Sequence, residues 1–156
     1  MTRTIRPATL ADIQSIVGLG QQLFAESPRW SKLHFNAEKL TSFVYNLIEA
    51  EDGFVCVAEI DAVIVGAIMG VAMDHYAADD VTACELALFV APSHRSSGLA
   101  QILIAELDQW AKSKGAAWLQ AGTTTGVDPE RTAKLYEACG FTRCGIVLEV
   151  DYVHGR

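Results

Sequence analysis

The chain has 156 residues, 51% of them apolar and 20% charged, with 12 basic against 19 acidic side chains and a net charge of −7. These totals exclude a disordered chain and suit one domain, 1–156, with a core of its own. Without any Lys/Arg run they also exclude a nucleic-acid surface, and the acidic balance favours cationic or amine-bearing partners.

No apolar run is long enough to cross a bilayer, and Met1-Thr-Arg-Thr-Ile-Arg6 lacks the apolar core of a signal peptide. The expectation is a cytoplasmic protein without membrane contact. Cys56, Cys84, Cys139 and Cys144 form no CxxC pair, and His34, His75, His94 and His154 are scattered. The cysteines therefore read as free thiols and no metal site is expected.

In chain order, Ile5 lies in a short strand that Pro7 ends. Thr9-x-x-Asp12 starts a helix, the threonine hydroxyl accepting from a backbone N–H three residues on. Its stripe is Ile13, Ile16, Val17, Gly20 and Leu23/Phe24, and Pro28 breaks it. Asn36 caps a second helix with the stripe Leu40, Phe43, Val44, Leu47 and Ile48. The period then changes. Phe54 to Ile60 and Val63 to Met73 read as antiparallel strands about the Asp61-Ala62 turn, and Thr82 to Ala91 as a third after a polar loop. Gly98 to Lys114 is an amphipathic helix stopped by Gly115, and Ala116 to Ala121 a short buried strand. Asp128-Pro129 opens a last helix that Gly140 ends, and Phe141 to Val153 holds one or two final strands. The order β-α-α-β-β-β-α-β-α-β predicts an α/β domain, a mixed sheet of six to seven strands with four helices on both faces.

The chemistry concentrates where a strand gives way to a helix, at Arg95-Ser-Ser-Gly98-Leu-Ala100. A helix N-terminus offers unpaired N–H groups and positive potential. Gly98 lets an anion approach the backbone, Ser96 and Ser97 keep the loop open, and Arg95 adds charge. These parts together suit a phosphate.

Val90-Ala-Pro92-Ser-His-Arg95-Ser-Ser-Gly98-Leu-Ala100 resembles motif A of the GCN5-related N-acetyltransferases. The resemblance extends to Ile5-Arg6-Pro7-Ala8 with Asp12-Ile13, to the Ala58-Glu59-Ile60-Asp61…Val65-Gly66 hairpin, and to Leu135-Tyr136-Glu137-Ala-Cys-Gly140-Phe141. It implies that acetyl-CoA is the acetyl donor. Its pyrophosphate would rest on the amides of Arg95, Ser96, Ser97, Gly98, Leu99 and Ala100, and its pantetheine arm would pair with Leu88, Phe89 and Val90. A strand amide would polarise the thioester carbonyl. Glu85 is then the candidate base, directly or through water, and Tyr136 the acid that protonates the departing thiolate. Two positions depart from the family pattern. Pro129 stands where many relatives carry an asparagine that bonds pantetheine, a contact Asp128 would have to supply, and Ala100 replaces the commoner glycine.

By the same resemblance the acceptor would meet Ser27 to Phe35, with Trp30 and Phe35, and the loop Asp74 to Asp80, whose three aspartates suit a cation. The leading expectation is an acetyltransferase acting on a small-molecule amine, as a possible homodimer. The alternatives are a protein lysine or N-terminal acetyltransferase and a non-catalytic acyl-CoA-binding module.

Overall fold

The computed structural model describes residues 1–153. Strand β1 (Arg3–Pro7) leads through one tight helical turn into α1 (Ile13–Glu26) and then α2 (Ala37–Glu49). Strands β2 (Gly53–Ile60), β3 (Val63–Asp74) and β4 (Val81–Val90) precede α3 (Leu99–Ser113), β5 (Leu119–Gln120) and α4 (Pro129–Ala138). The strands form one sheet in the order β1-β2-β3-β4-β5. β1 to β4 run antiparallel to their neighbours, and β5 is parallel to β4. Asp61 and Ala62, at φ 48° and 65°, turn β2 into β3 in the left-handed conformation that matches strand twist.

The apolar stripes decide the layers. Ile13, Ile16, Val17 and Leu23 of α1, with Val44 and Leu47 of α2, bury one face of the sheet against Val55, Val57 and Phe89. Leu99, Leu103, Ile104 and Leu107 of α3 cover the other face, with Cys56, Ile68 and Val90, and Tyr136 of α4 joins them. The α/β class with helices on both faces is as expected.

At the start of α1 Thr9 and Asp12 form a reciprocal capping box, the threonine side chain facing the N–H three residues on as expected and the aspartate answering it. The Asp12 carboxylate accepts from the Thr9 N–H at 2.7 Å and the Thr9 hydroxyl at 3.0 Å. Arg6 donates to the same carboxylate at 2.7 and 2.9 Å and also pairs with Glu59. This holds the Asp12 carboxyl well below its ordinary range and fastens β1, β2 and the start of α1 together.

The strand count differs: five strands stand where six to seven were expected. Among the described residues, 142–153 join no strand and are exposed throughout. An alternating run becomes a strand only where a partner edge is in reach. Here Glu149 pairs with Arg29 at 2.6 Å and Asp151 with Lys32 at 2.5 Å, which fastens the segment over the turn after α1. His154 lies outside the described residues. Among those residues no helix is long and apolar enough to cross a membrane.

Candidate active site

The β3–β4 register slips by one residue: Gly70 faces Glu85, but Met69 faces Ala87. Leu86 is the extra residue of a β-bulge, and it resets which way the following main-chain groups point. Ala91 N–H bonds Val65 O at 2.8 Å on the β3 side. By alternation, the main-chain groups of Val90 and Leu88 therefore point to the opposite side. On that side β5 pairs only with Ala83 and Cys84. From Glu85 onward the edge is open, and it lines a groove of about 780 Å³.

Helix α3 begins at the mouth of this groove. Gly98 sits immediately before it at φ 82°, and a Cβ there would meet nothing within 4 Å. The glycine requirement is therefore conformational and not spatial. Ser97 Oγ donates to His94 O at 2.5 Å, bracing the loop. Ser96, Gly98, Leu99 and Ala100 line the groove, as do Leu88, Phe89 and Val90.

Arg95 is placed differently from a free phosphate ligand. Its Nε donates to Val90 O at 2.9 Å, its guanidinium pairs through both terminal nitrogens with Glu26 of α1, and it lies 5.2 Å over the Phe89 ring. Engaged on three sides, it fixes the loop to α1 and the strand end. The more available positive charges are Arg131 and Lys134 of α4, which line the same groove. Arg131 Nη2 donates to Ser96 Oγ at 3.0 Å. Sequence reading missed both, although their spacing after the Asp128-Pro129 helix start is a usable signal. Asp128 accepts from the Arg131 N–H at 3.1 Å, so one of its oxygens already serves as the helix cap.

Glu85 and Tyr136, distant in sequence, line the same groove. Burial pushes the Glu85 carboxyl up to about 7, an effect that the Gly122 amide and the Tyr136 hydroxyl only partly offset. Tyr136 is 5% exposed, and its hydroxyl is fully buried with no partner at hydrogen-bond geometry. The two groups influence each other without a formed hydrogen bond. Burial first, and then the Glu85 charge, push the phenol above its ordinary range, so it keeps its proton. A half-buried carboxyl titrating near neutrality beside a protonated phenol can accept one proton and deliver another.

The expected acceptor pieces separate. Trp30 lines the groove, whereas Phe35 packs edge-on against Phe24 at 5.1 Å as part of the core. Asp74, Asp79 and Asp80 lie at the far end of β4 and do not line the groove. One contact ties two of the flanking segments together. Ser27, fully buried, donates through Oγ to Thr125 O at 2.5 Å and joins the turn after α1 to the loop before α4.

A bulged β4 that parts from β5, with a helix N-terminus at the opening, is the frame of the site. The chain belongs to the acetyltransferase (GNAT) family, which matches it over residues 20–141. Acetyl-CoA is the acetyl donor of that family. Among solved structures, the fold is similar to that of AAC(6')-Iy in complex with a bisubstrate analog, CoA-S-monomethyl-acetylneamine. The TM-score is 0.78 at 22% identity, covering 97% of this chain and 98% of that one. Glucosamine-6-phosphate N-acetyltransferase from Arabidopsis thaliana gives 0.77 at 16% identity, covering 97% and 99%. The aminoglycoside 6'-N-acetyltransferase AAC(6')-IG from Acinetobacter haemolyticus gives 0.75 at 17% identity, covering 95% and 97%. A comparison with curated protein sequences finds no match.

Proposed function

We propose that the protein transfers the acetyl group of acetyl-CoA to a primary amine of a small molecule. The observation that carries this reading is the pairing of Glu85 and Tyr136 in the groove beside the open edge of β4. The groove's chemistry fits the donor. The main-chain groups of Leu88 and Val90 suit an amide-bearing arm. The N-terminus of α3, with Arg131 and Lys134, suits a pyrophosphate. The unpartnered Tyr136 hydroxyl suits a sulfur that needs a proton.

Bound there, acetyl-CoA supplies an activated acyl carbon whose C–S bond breaks as a C–N bond forms. The groove-facing N–H groups of β4 would stabilise the charge that builds on the carbonyl oxygen. Glu85 takes the proton that the amine nitrogen must lose, directly or through a water. Tyr136 gives its phenolic proton to the sulfur, and Glu85 then reprotonates Tyr136. One proton passes from nitrogen to sulfur, and both residues end as they began.

The acceptor in this reading is a small amine in place of a protein lysine. The named acceptors of the structural neighbours are consistent with this class. The test is CoA release measured with a panel of small primary amines and, in parallel, lysine-bearing peptides. Turnover confined to peptides overturns the acceptor class. Acetyl-CoA binding without turnover of any amine overturns the reaction.

A further inference from the structure

Beside the groove lies a second cavity that the reaction proposed above does not use. Its volume is about 240 Å³, and it sits between α1, α2 and the face of the sheet that those helices cover. Among the described residues, every one that lines it is apolar. Ala67 and Met69 come from β3, Gly20 and Phe24 from α1, and Leu40 and Phe43 from α2. Protein interiors are otherwise packed like organic crystals, with few voids larger than a water. An apolar void of about 150 Å³ already holds a benzene ring.

Two observations tie this cavity to a ligand. The first is continuity with the groove. Leu23, Trp30, Leu86, Ala87 and Phe89 line both spaces, and Leu86, at the bulge, follows Glu85 directly. A molecule whose nitrogen stands at Glu85 therefore has the cavity one residue away. The second is the state of the walls. Phe43 belongs to the apolar stripe of α2 yet is 45% exposed, and Leu40, Trp30, Met69 and Leu86 are only partly buried against the core. Phe24 meets Trp30 at 5.2 Å and Phe35 at 5.1 Å between ring centroids, which braces this wall without filling the space.

We propose that the cavity is a tail subsite for the acceptor, and that the acceptor is a monoamine carrying an aryl or alkyl tail. The inference rests on the reaction proposed above, since the tail is located by the nitrogen that Glu85 deprotonates. The lining sets the class. A sugar ring there would bury hydroxyls, and a polyamine a second ammonium, among side chains that offer neither a carboxylate nor a hydroxyl to bond them. An apolar tail gains from the same burial.

The experiment measures CoA release from acetyl-CoA with phenethylamine and hexylamine as tailed amines and with ethanolamine and glucosamine as polar ones. It compares the parent with Ala67→Leu, which puts a larger side chain into the cavity from a position outside the groove. In the parent, kcat/KM for the tailed amines should exceed that for the polar ones by roughly 100-fold or more. In Ala67→Leu that ratio should fall to about tenfold or less, through KM. A parent that uses the polar amines as well or better overturns the tail subsite and leaves the transfer reaction standing. So does a ratio that Ala67→Leu leaves unchanged. Should that variant fail to fold, Phe43→Ser at the exposed rim takes its place and should lower the ratio about tenfold. Should no amine be turned over, the reaction falls, and titration calorimetry on the CoA-loaded parent decides the cavity. Phenethylamine should then bind and ethanolamine should not. Binding of both alike, or of neither, overturns the tail subsite.

Discussion

Replacing Glu85 by glutamine keeps the shape of the side chain and removes its charge, and the two consequences run in opposite directions. Folding lifts this carboxyl from an ordinary 4.5 to about 7, chiefly through burial. The folded protein therefore holds the proton more tightly than the unfolded chain, and stability falls as pH rises between those two values. Each tenfold step in proton affinity is worth about 1.36 kcal/mol, so the loss levels off at about 3 kcal/mol above neutrality. Glutamine carries no charge and suffers no such loss. Its stability advantage should be near zero at about pH 4 and reach about 3 kcal/mol at about pH 8, or roughly 6–10 °C in Tm for a chain of this size. Turnover should move the other way. The parent kcat should climb through about pH 7 and flatten above it, while the variant loses roughly 10²- to 10⁴-fold on the plateau. The deficit should narrow below neutrality, where the parent carboxyl is itself protonated. Thermal unfolding by circular dichroism across this pH range, with kcat measured on the same samples, tests both limbs. A Tm difference that does not grow with pH refutes a desolvated carboxylate at this position, and full kcat at about pH 8 refutes its role as base.

Tyr136→Phe should keep the fold and the acetyl-CoA affinity, because the hydroxyl has no partner to lose, while kcat falls roughly 10- to 1,000-fold; calorimetry and steady-state kinetics read the two. Gly98→Ala should cost about 1–2 kcal/mol in chemical denaturation, since φ 82° is strained for any side chain although the space is free. Arg131→Ala should weaken acetyl-CoA binding in calorimetry and flatten its salt dependence, whereas Arg95→Ala should act mainly on stability, by about 1 kcal/mol, because its guanidinium is held by Glu26 and Val90. Changing Asp74, Asp79 and Asp80 together to Asn should leave the acceptor KM unchanged, since none of them lines the groove.

What the sequence disclosed follows the range of the forces involved. The Asn36 cap, the Asp61-Ala62 turn and the Gly115 stop are set within a few residues, and the structure places all three where the sequence puts them. The helix start at Gly98 is equally local, so the phosphate-like junction stood out at once. The bulge at Leu86 did not, because Cys84 to Val90 shows no break in composition where the register slips. The engagement of Arg95 was hidden for another reason: its carboxylate partner lies 69 residues earlier, on α1. Glu85 and Tyr136 came from a family resemblance, and only the fold brings them to one groove. The failed expectations are instructive in the same way. Three aspartates look like a cation site in sequence, but the far end of β4 is remote from the open edge. The run Ile146–Val150 has the composition of a strand, and composition cannot say which edge receives it.

The structure also bears on timing, which no list of residues supplies. As long as Glu85 is charged, its field raises the proton affinity of the Tyr136 phenol, which makes the tyrosine a poor acid. Proton uptake from the amine neutralises Glu85 and removes that contribution. The phenol thus becomes more acidic at the moment when thiolate charge develops and a donor is needed. The coupling has a specific consequence. In Glu85→Gln nothing takes the amine proton or returns one to the phenol, so adding Tyr136→Phe should cost less in the glutamine background than in the parent if the two residues act as one relay. A double-mutant cycle on kcat measures that difference directly. Strictly additive losses would make them two independent catalysts that happen to share a groove.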